Sequence, residues 1–135
     1  MVYLLQRTTI IMELAHESRK SLQLLEAFGQ ERTSDPARSQ ADPLHGVILR
    51  RRRNAAVLRG LLRAEGGERT HPPSARPATV DANAVIAAEA KLLAFLDRQL
   101  LRPDLPGDLR LLFNDHREDV HQATLILSHI RDRHA

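Results

Sequence analysis

Two Glu-x-x-His pairs, Glu13-x-x-His16 and Glu118-x-x-His121, are the residues here with the most recognisable chemistry. On a helix, this spacing sets a carboxylate and an imidazole on neighbouring turns of one face, where both can hold one ion. Di-iron and di-manganese carboxylate sites in helical bundles combine two such pairs with a Glu from each of two other helices, all pointing inward. Glu89 and the pair Asp42-x-x-His45 add to the supply of ligands. Direction argues against the site. A helix turns about 100° per residue, which puts Glu13 and His16 opposite the apolar stripe of their segment. Glu118 likewise points away from its stripe, and His121 lies off it. Iron or manganese held by Glu13, His16, Glu89, His116, Glu118 and His121 is therefore the alternative reading, and no cofactor is expected.

Two polar residues do fall inside apolar stripes. Glu89 lies among Val85, Ile86, Leu93 and Leu96, and His116 lies between Phe113 and Val120. Burying either without a partner is costly. The two are expected to approach each other, directly or through a water, as a polar layer that fixes helix register.

The run Arg50-Arg51-Arg52-Arg53 is the most unusual local feature. With Arg59 and Arg63 it gives residues 42–63 six Arg against one Asp, a formal +5, in a chain of net charge +3. Four successive helical residues point in four directions, so the run is not a one-sided patch. Arg51 borders the core stripe and must snorkel or pair with an acid. Arg50, Arg52, Arg53, Arg59 and Arg63 are the candidates for anion binding, including salt-sensitive phosphate contact with nucleic acid. A solvated face balanced by Glu13, Glu17, Asp115 and Glu118 is the preferred reading, because no nucleic-acid-binding motif accompanies the charge.

Other chemistries are less supported. There is no Cys, which removes thiol catalysis, disulfides and zinc–thiolate sites. No glycine-rich phosphate loop or Gly-x-Ser-x-Gly elbow occurs. No catalytic residue is assigned, and a non-enzymatic role is expected. No stretch has the signature of a signal peptide or the roughly 18 apolar residues of a membrane span. A cytoplasmic protein with no membrane partner is the expectation.

The elements that must position these residues are helical. Aromatics are only 3% of the 135 residues, so the core must be Leu, Ile, Val and Ala. Apolar residues recur at three- and four-residue steps in four segments, which predicts helices over about 4–28, 43–64, 81–101 and 105–133. Gly29 is the expected stop of the first. Asp42-Pro43 starts the second, Thr79 or Asp81 caps the third, and Asp104 or Asp108 begins the fourth. Pro72, Pro73 and Pro77 keep the link after the second helix non-helical. One all-α domain over 1–135 follows, an antiparallel four-helix bundle in up-down-up-down order.

Several stretches resemble an uncharacterised bacterial family of ferritin-like four-helix bundles, one of the domain-of-unknown-function families. They are Ile11-Met12-Glu13-Leu14-Ala15-His16-Glu17-Ser18, Asp42-Pro43-Leu44 before an Arg-rich helix, and Glu65-Gly66-Gly67-Glu68. Val85-Ile86-Ala87-Ala88-Glu89 and Leu105-Pro106 with the final helix to Ile130-Arg131-Asp132 complete the set. The resemblance implies a ferritin-like fold and a stress-associated protein, and offers no established reaction. The family's second acidic residue, a turn after Glu89, is replaced here by Leu92 or its apolar neighbours. The ferritin arrangement also keeps its two Glu-x-x-His pairs on helices two and four. Apolar residues outside the stripes, Leu5, Ile10, Leu24, Leu49, Val57, Leu61, Leu111 and Leu125, could form a homodimer surface.

Overall fold

The computed structural model describes residues 2–32, 42–66 and 80–133. These form four helices and no strand: α1 (Val2–Arg32), α2 (Pro43–Ala64), α3 (Ala82–Leu100) and α4 (Gly107–Arg133). The helix starts follow from their caps. The Asp42 side chain accepts from Leu44 N at 3.1 Å with Pro43 in the first turn, and the Asp81 side chain accepts from Ala84 N at 2.8 Å. Each satisfies one of the free N–H groups of a first turn. Thr79 lies outside the described residues. Beyond α2, Gly66 takes φ 71°, the left-handed conformation that suits glycine after a helix C-cap.

One expected boundary is corrected. α1 does not stop at Gly29 but runs on to Arg32. Glycine serves contact there rather than termination. A Cβ built on Gly29 would stand 2.9 Å from Ile48 Cδ1 and 3.8 Å from Leu44 Cδ2. The missing side chain lets α1 and α2 approach closely.

Four contact surfaces hold the helices side by side: α1 with α2, α3 with α4, α1 with α3, and α2 with α4. The buried residues follow alternating steps of three and four on every helix. Examples are Ile11, Leu14, Ser18, Ser21, Leu25 and Phe28 on α1, and Leu109, Phe113, His116, Val120, Ala123 and Leu127 on α4. They form two apolar clusters. One joins Ile11 and Leu14 to Leu58, Leu96, Leu109 and Phe113. The other joins Leu25 and Phe28 to Leu44, Val85, Leu127 and Ile130.

These clusters correct the expected up-down-up-down order. The first takes the early part of α1 and α4 but the late part of α2 and α3. The second takes the opposite parts. Thus α2 and α3 run in the same direction. Ion pairs at the ends agree. Arg7 of α1 pairs with Glu65, just after α2, and with Asp108 in the first turn of α4. Arg32 pairs with Asp42, just before α2, at 3.0 Å. Arg110 donates to the carbonyls of Leu100 and Arg102, both at 2.8 Å, and so holds the end of α3 against the start of α4. The expected order assumed that every connection is a short reversal. Gly66 and Val80 are far enough apart in sequence to be up to ~46 Å apart, which exceeds the ~33 Å length of α2.

Two of the three glycines within α1 and α2 should respond oppositely to substitution. A Cβ at Gly60 would meet nothing within 4 Å, so Gly60→Ala should raise stability by about 0.5–1 kcal/mol through helix propensity. Gly29→Val should lower it by about 1–3 kcal/mol through overpacking against Ile48. Urea unfolding measures both, and equal effects would mean that α1 and α2 are not in close contact at Gly29.

Candidate functional site

Between the two apolar clusters lies a polar layer: Ser18 and Ser21 on α1, Arg51 on α2, Glu89 on α3, and His116 and Asp119 on α4. Arg51 is its centre. Its side chain is 0% exposed, although it belongs to a run of four arginines. The reason is positional. Leu44, Val47, Arg51 and Leu58 all face inward on α2, so Arg51 occupies an interior position of that helix.

The guanidinium is met from three other helices. Nη1 and Nη2 donate to the two oxygens of Glu89 at 2.9 and 2.7 Å, a two-pronged pairing. Nε donates to Asp119 Oδ2 at 2.9 Å, and Nη1 also donates to Ser21 Oγ at 2.7 Å. Ser21 in turn donates to Glu89 Oε1. Asn54, one turn after Arg51, donates to Asp119 Oδ2 at 3.3 Å. Burial disfavours the charged form of Arg51, but the hydrogen bonds and charge of Glu89, then of Asp119, outweigh it and raise its pKa. The geometry suits arginine, whose planar fork matches carboxylates as an ammonium cannot.

The expected Glu89–His116 pairing is not made. Glu89 spends its oxygens on Arg51 and Ser21. His116 Nδ1 instead donates to the Leu112 carbonyl at 2.9 Å, one turn back on its own helix. That carbonyl can only accept, so Nδ1 carries a proton, and in the neutral ring Nε2 is the unprotonated nitrogen. Nε2 and Ser18 Oγ are buried without a hydrogen-bond partner among the described residues. Burial lowers the His116 pKa. The Leu112 carbonyl opposes this, the Arg51 charge adds to it, and Asp119 and Asp115 oppose it more weakly.

The remaining sequence candidates lie elsewhere. Glu13, His16, Glu118 and His121 are exposed, while Glu89 and His116 are buried. Among the described residues, no group of three or more His, Asp or Glu is placed to share a metal ion. Asp42 is the cap of α2 and the partner of Arg32, rather than a ligand beside His45. Of the anion-binding candidates, Arg50, Arg52, Arg53, Arg59 and Arg63 are all exposed. Arg52 pairs with Glu26 at 2.7 Å, and Arg50 lies 3.5 Å from Asp119.

Sequence reasoning recognised that Arg51 needs an acid and that Glu89 needs a partner, but did not join them. It missed Ser21 and Asp119. The available signal was the three-and-four rhythm itself. Steps of 44, 47, 51, 54 and 58, and of 11, 14, 18, 21 and 25, pass through Arg51, Asn54 and Ser21 whatever the residue type.

No helix of the described residues is long and apolar enough to cross a membrane. Comparison with family models, with curated proteins and with solved structures finds no match in any of the three.

Two outcomes are expected. Arg51→Met should lower stability by about 3–5 kcal/mol, because it leaves Glu89 and Asp119 buried without their cation. Arg51→Met combined with Glu89→Leu and Asp119→Leu should recover most of that loss. Urea unfolding tests both, and a triple variant no better than the single one would show that the charges are not what the single variant strands. For His116, the unfolded imidazole titrates at about 6.5 and the folded one lower. Below that value the unfolded chain binds a proton that the folded chain refuses, so stability should fall as pH drops, by at most about 1.4 kcal/mol per pH unit for this group. The fall should level off below the folded pKa. His116→Gln should remove this component, and an unchanged pH profile in that variant would contradict the assignment.

Proposed function

We propose that this protein is a non-enzymatic helical scaffold that works by association, and that its bundle is closed by an internal arginine rather than by a metal centre. The observation that carries the reading is the Arg51 guanidinium, fully buried and bonded by Glu89 on α3, Asp119 on α4 and Ser21 on α1. Inward carboxylates from facing helices need positive charge between them. In a di-metal bundle the ions supply it. Here the chain supplies its own, and the two carboxylates have already given lone pairs to it.

The helix order supports a finer reading of the fold. Each neighbouring pair is antiparallel, α2 and α3 run alike, and one long connection joins them. Ferritin-like four-helix bundles share this order, which supports the ferritin-like fold that the sequence resemblance implies. A cytoplasmic location fits the cysteine-free composition, and a stress-associated role rests on the resemblance. Association would use the exposed apolar residues. Of the eight expected at a dimer surface, Ile10 is buried in the core, and Leu24 and Leu61 pack against it. Leu5 lies outside the residues whose side chains are described. The other four, Leu49, Val57, Leu111 and Leu125, are exposed.

Untagged protein incubated with Fe(II) or Mn(II), desalted and assayed for metal should retain far less than one ion per chain. Stoichiometric retention that is lost on Glu89→Gln would overturn this reading in favour of a metal-dependent oxidoreductase or iron-handling bundle.

A further inference from the structure

Leu49 and Val57 lie on α2, and Leu111 and Leu125 on α4. They do not scatter over the surface. On α2 the line Leu49, Arg53, Val57 repeats every four residues. On α4 the line Leu111, Asp115, Glu118, Gln122, Leu125 alternates four and three. Each is a single stripe of its helix. Between the stripes runs an open cleft of about 370 Å³, lined by Arg50, Arg53 and Asn54 of α2 and by Asp115, Glu118, Asp119 and Gln122 of α4. Its polar middle therefore carries basic charge on α2 and acidic charge on α4. Arg53 makes no hydrogen bond or ion pair among the described residues.

From this face we infer a symmetric homodimer in which Arg53 of each copy pairs with Asp115 and Glu118 of the other. The inference rests on the association reading above and names its partner and surface. The occupant is a second copy because the face is complementary to itself. A two-fold axis along the helices lays α2 of one copy over α4 of the other. Since α2 and α4 run in opposite directions, Leu49 then meets Leu125, Val57 meets Leu111, and the basic wall meets the acidic wall twice. A two-fold axis across the helices would set α2 on α2 and oppose arginines to arginines. Charge thus selects one of the two face-to-face arrangements, as expected for an isologous interface. Only the first gives Arg53, which has no partner among the described residues, an acid to meet and covers the flanking apolar residues.

The test is a charge swap followed by sedimentation equilibrium and native mass spectrometry. Arg53→Glu should weaken self-association by at least about tenfold, or about 1.4 kcal/mol, because it opposes acid to acid at both contacts. Asp115→Lys with Glu118→Lys should do the same by opposing base to base. Mixing the two variants should give a heterodimer, since each then meets an opposite wall. Circular dichroism confirms that the helices remain. If the wild-type chain stays monomeric at high micromolar concentration, the association reading itself fails. If the wild type dimerises and each charge-reversed variant does so equally well alone, association stands and this face is not its surface.

Discussion

Everything in this molecule is arranged around one desolvated guanidinium. Placing Arg51 between four helices removes its water, at a cost of several kcal/mol for such an ion. The cost is tolerable only because its donors meet carboxylates and a hydroxyl at hydrogen-bond distance. Those acceptors come from α1, α3 and α4, so the interaction cannot form until all four helices are in place. A buried ion cluster of this kind adds little net stability over an apolar core. What it adds is a single allowed register. Sliding α2, α3 or α4 by one turn, about 5.4 Å, would strand a charge in the interior, and sliding α1 would remove the Ser21 hydroxyl from Arg51 and Glu89.

The two apolar clusters supply the stability that the polar layer does not. They sit on either side of it, one rich in Leu with Phe95 and Phe113, the other built from Leu25, Phe28, Leu44, Val85 and Leu127. At the end that holds the first cluster, Arg7 bridges Glu65 and Asp108, and its hydrogen bond holds the Asp108 carboxyl below the usual range. Arg110 adds bonds to the last carbonyl of α3 and to that of Arg102 just beyond it, where positive charge also complements the helix dipole. Arginine therefore does three different jobs here: interior counter-charge, end brace and surface charge. Composition alone cannot distinguish them.

How much was legible in the sequence varied by level. Four helices were readable because Leu, Ile and Val recur at helical spacing, and the starts of α2 and α3 because Asp42 and Asp81 are strong caps. The centre was half readable. Burial of Glu89 and His116 follows from their apolar neighbours, but partner choice does not, because several acids and four arginines compete. By residue type alone, the apolar line on α2 runs through Leu44, Ile48, Ala55, Leu58 and Leu62 and only borders Arg51. The true interior line follows 44, 47, 51 and 58, a rhythm nearer 3.5 residues. Helix direction was not legible at all. A link with three prolines looks like a turn whether it reverses the chain or crosses to the other end, and only the contacts of Val85 and Leu96 decide between them.

The central claim is that Arg51 is locked in a dry interior by fixed acceptors. Nitrogen-15 NMR of the arginine side chains tests it most directly. The Arg51 Nε–H and its four Nη–H protons should give separate signals, and their exchange with solvent should slow to a rate set by global unfolding. A single averaged Nη signal for Arg51, exchanging as fast as that of exposed Arg59, would contradict the account.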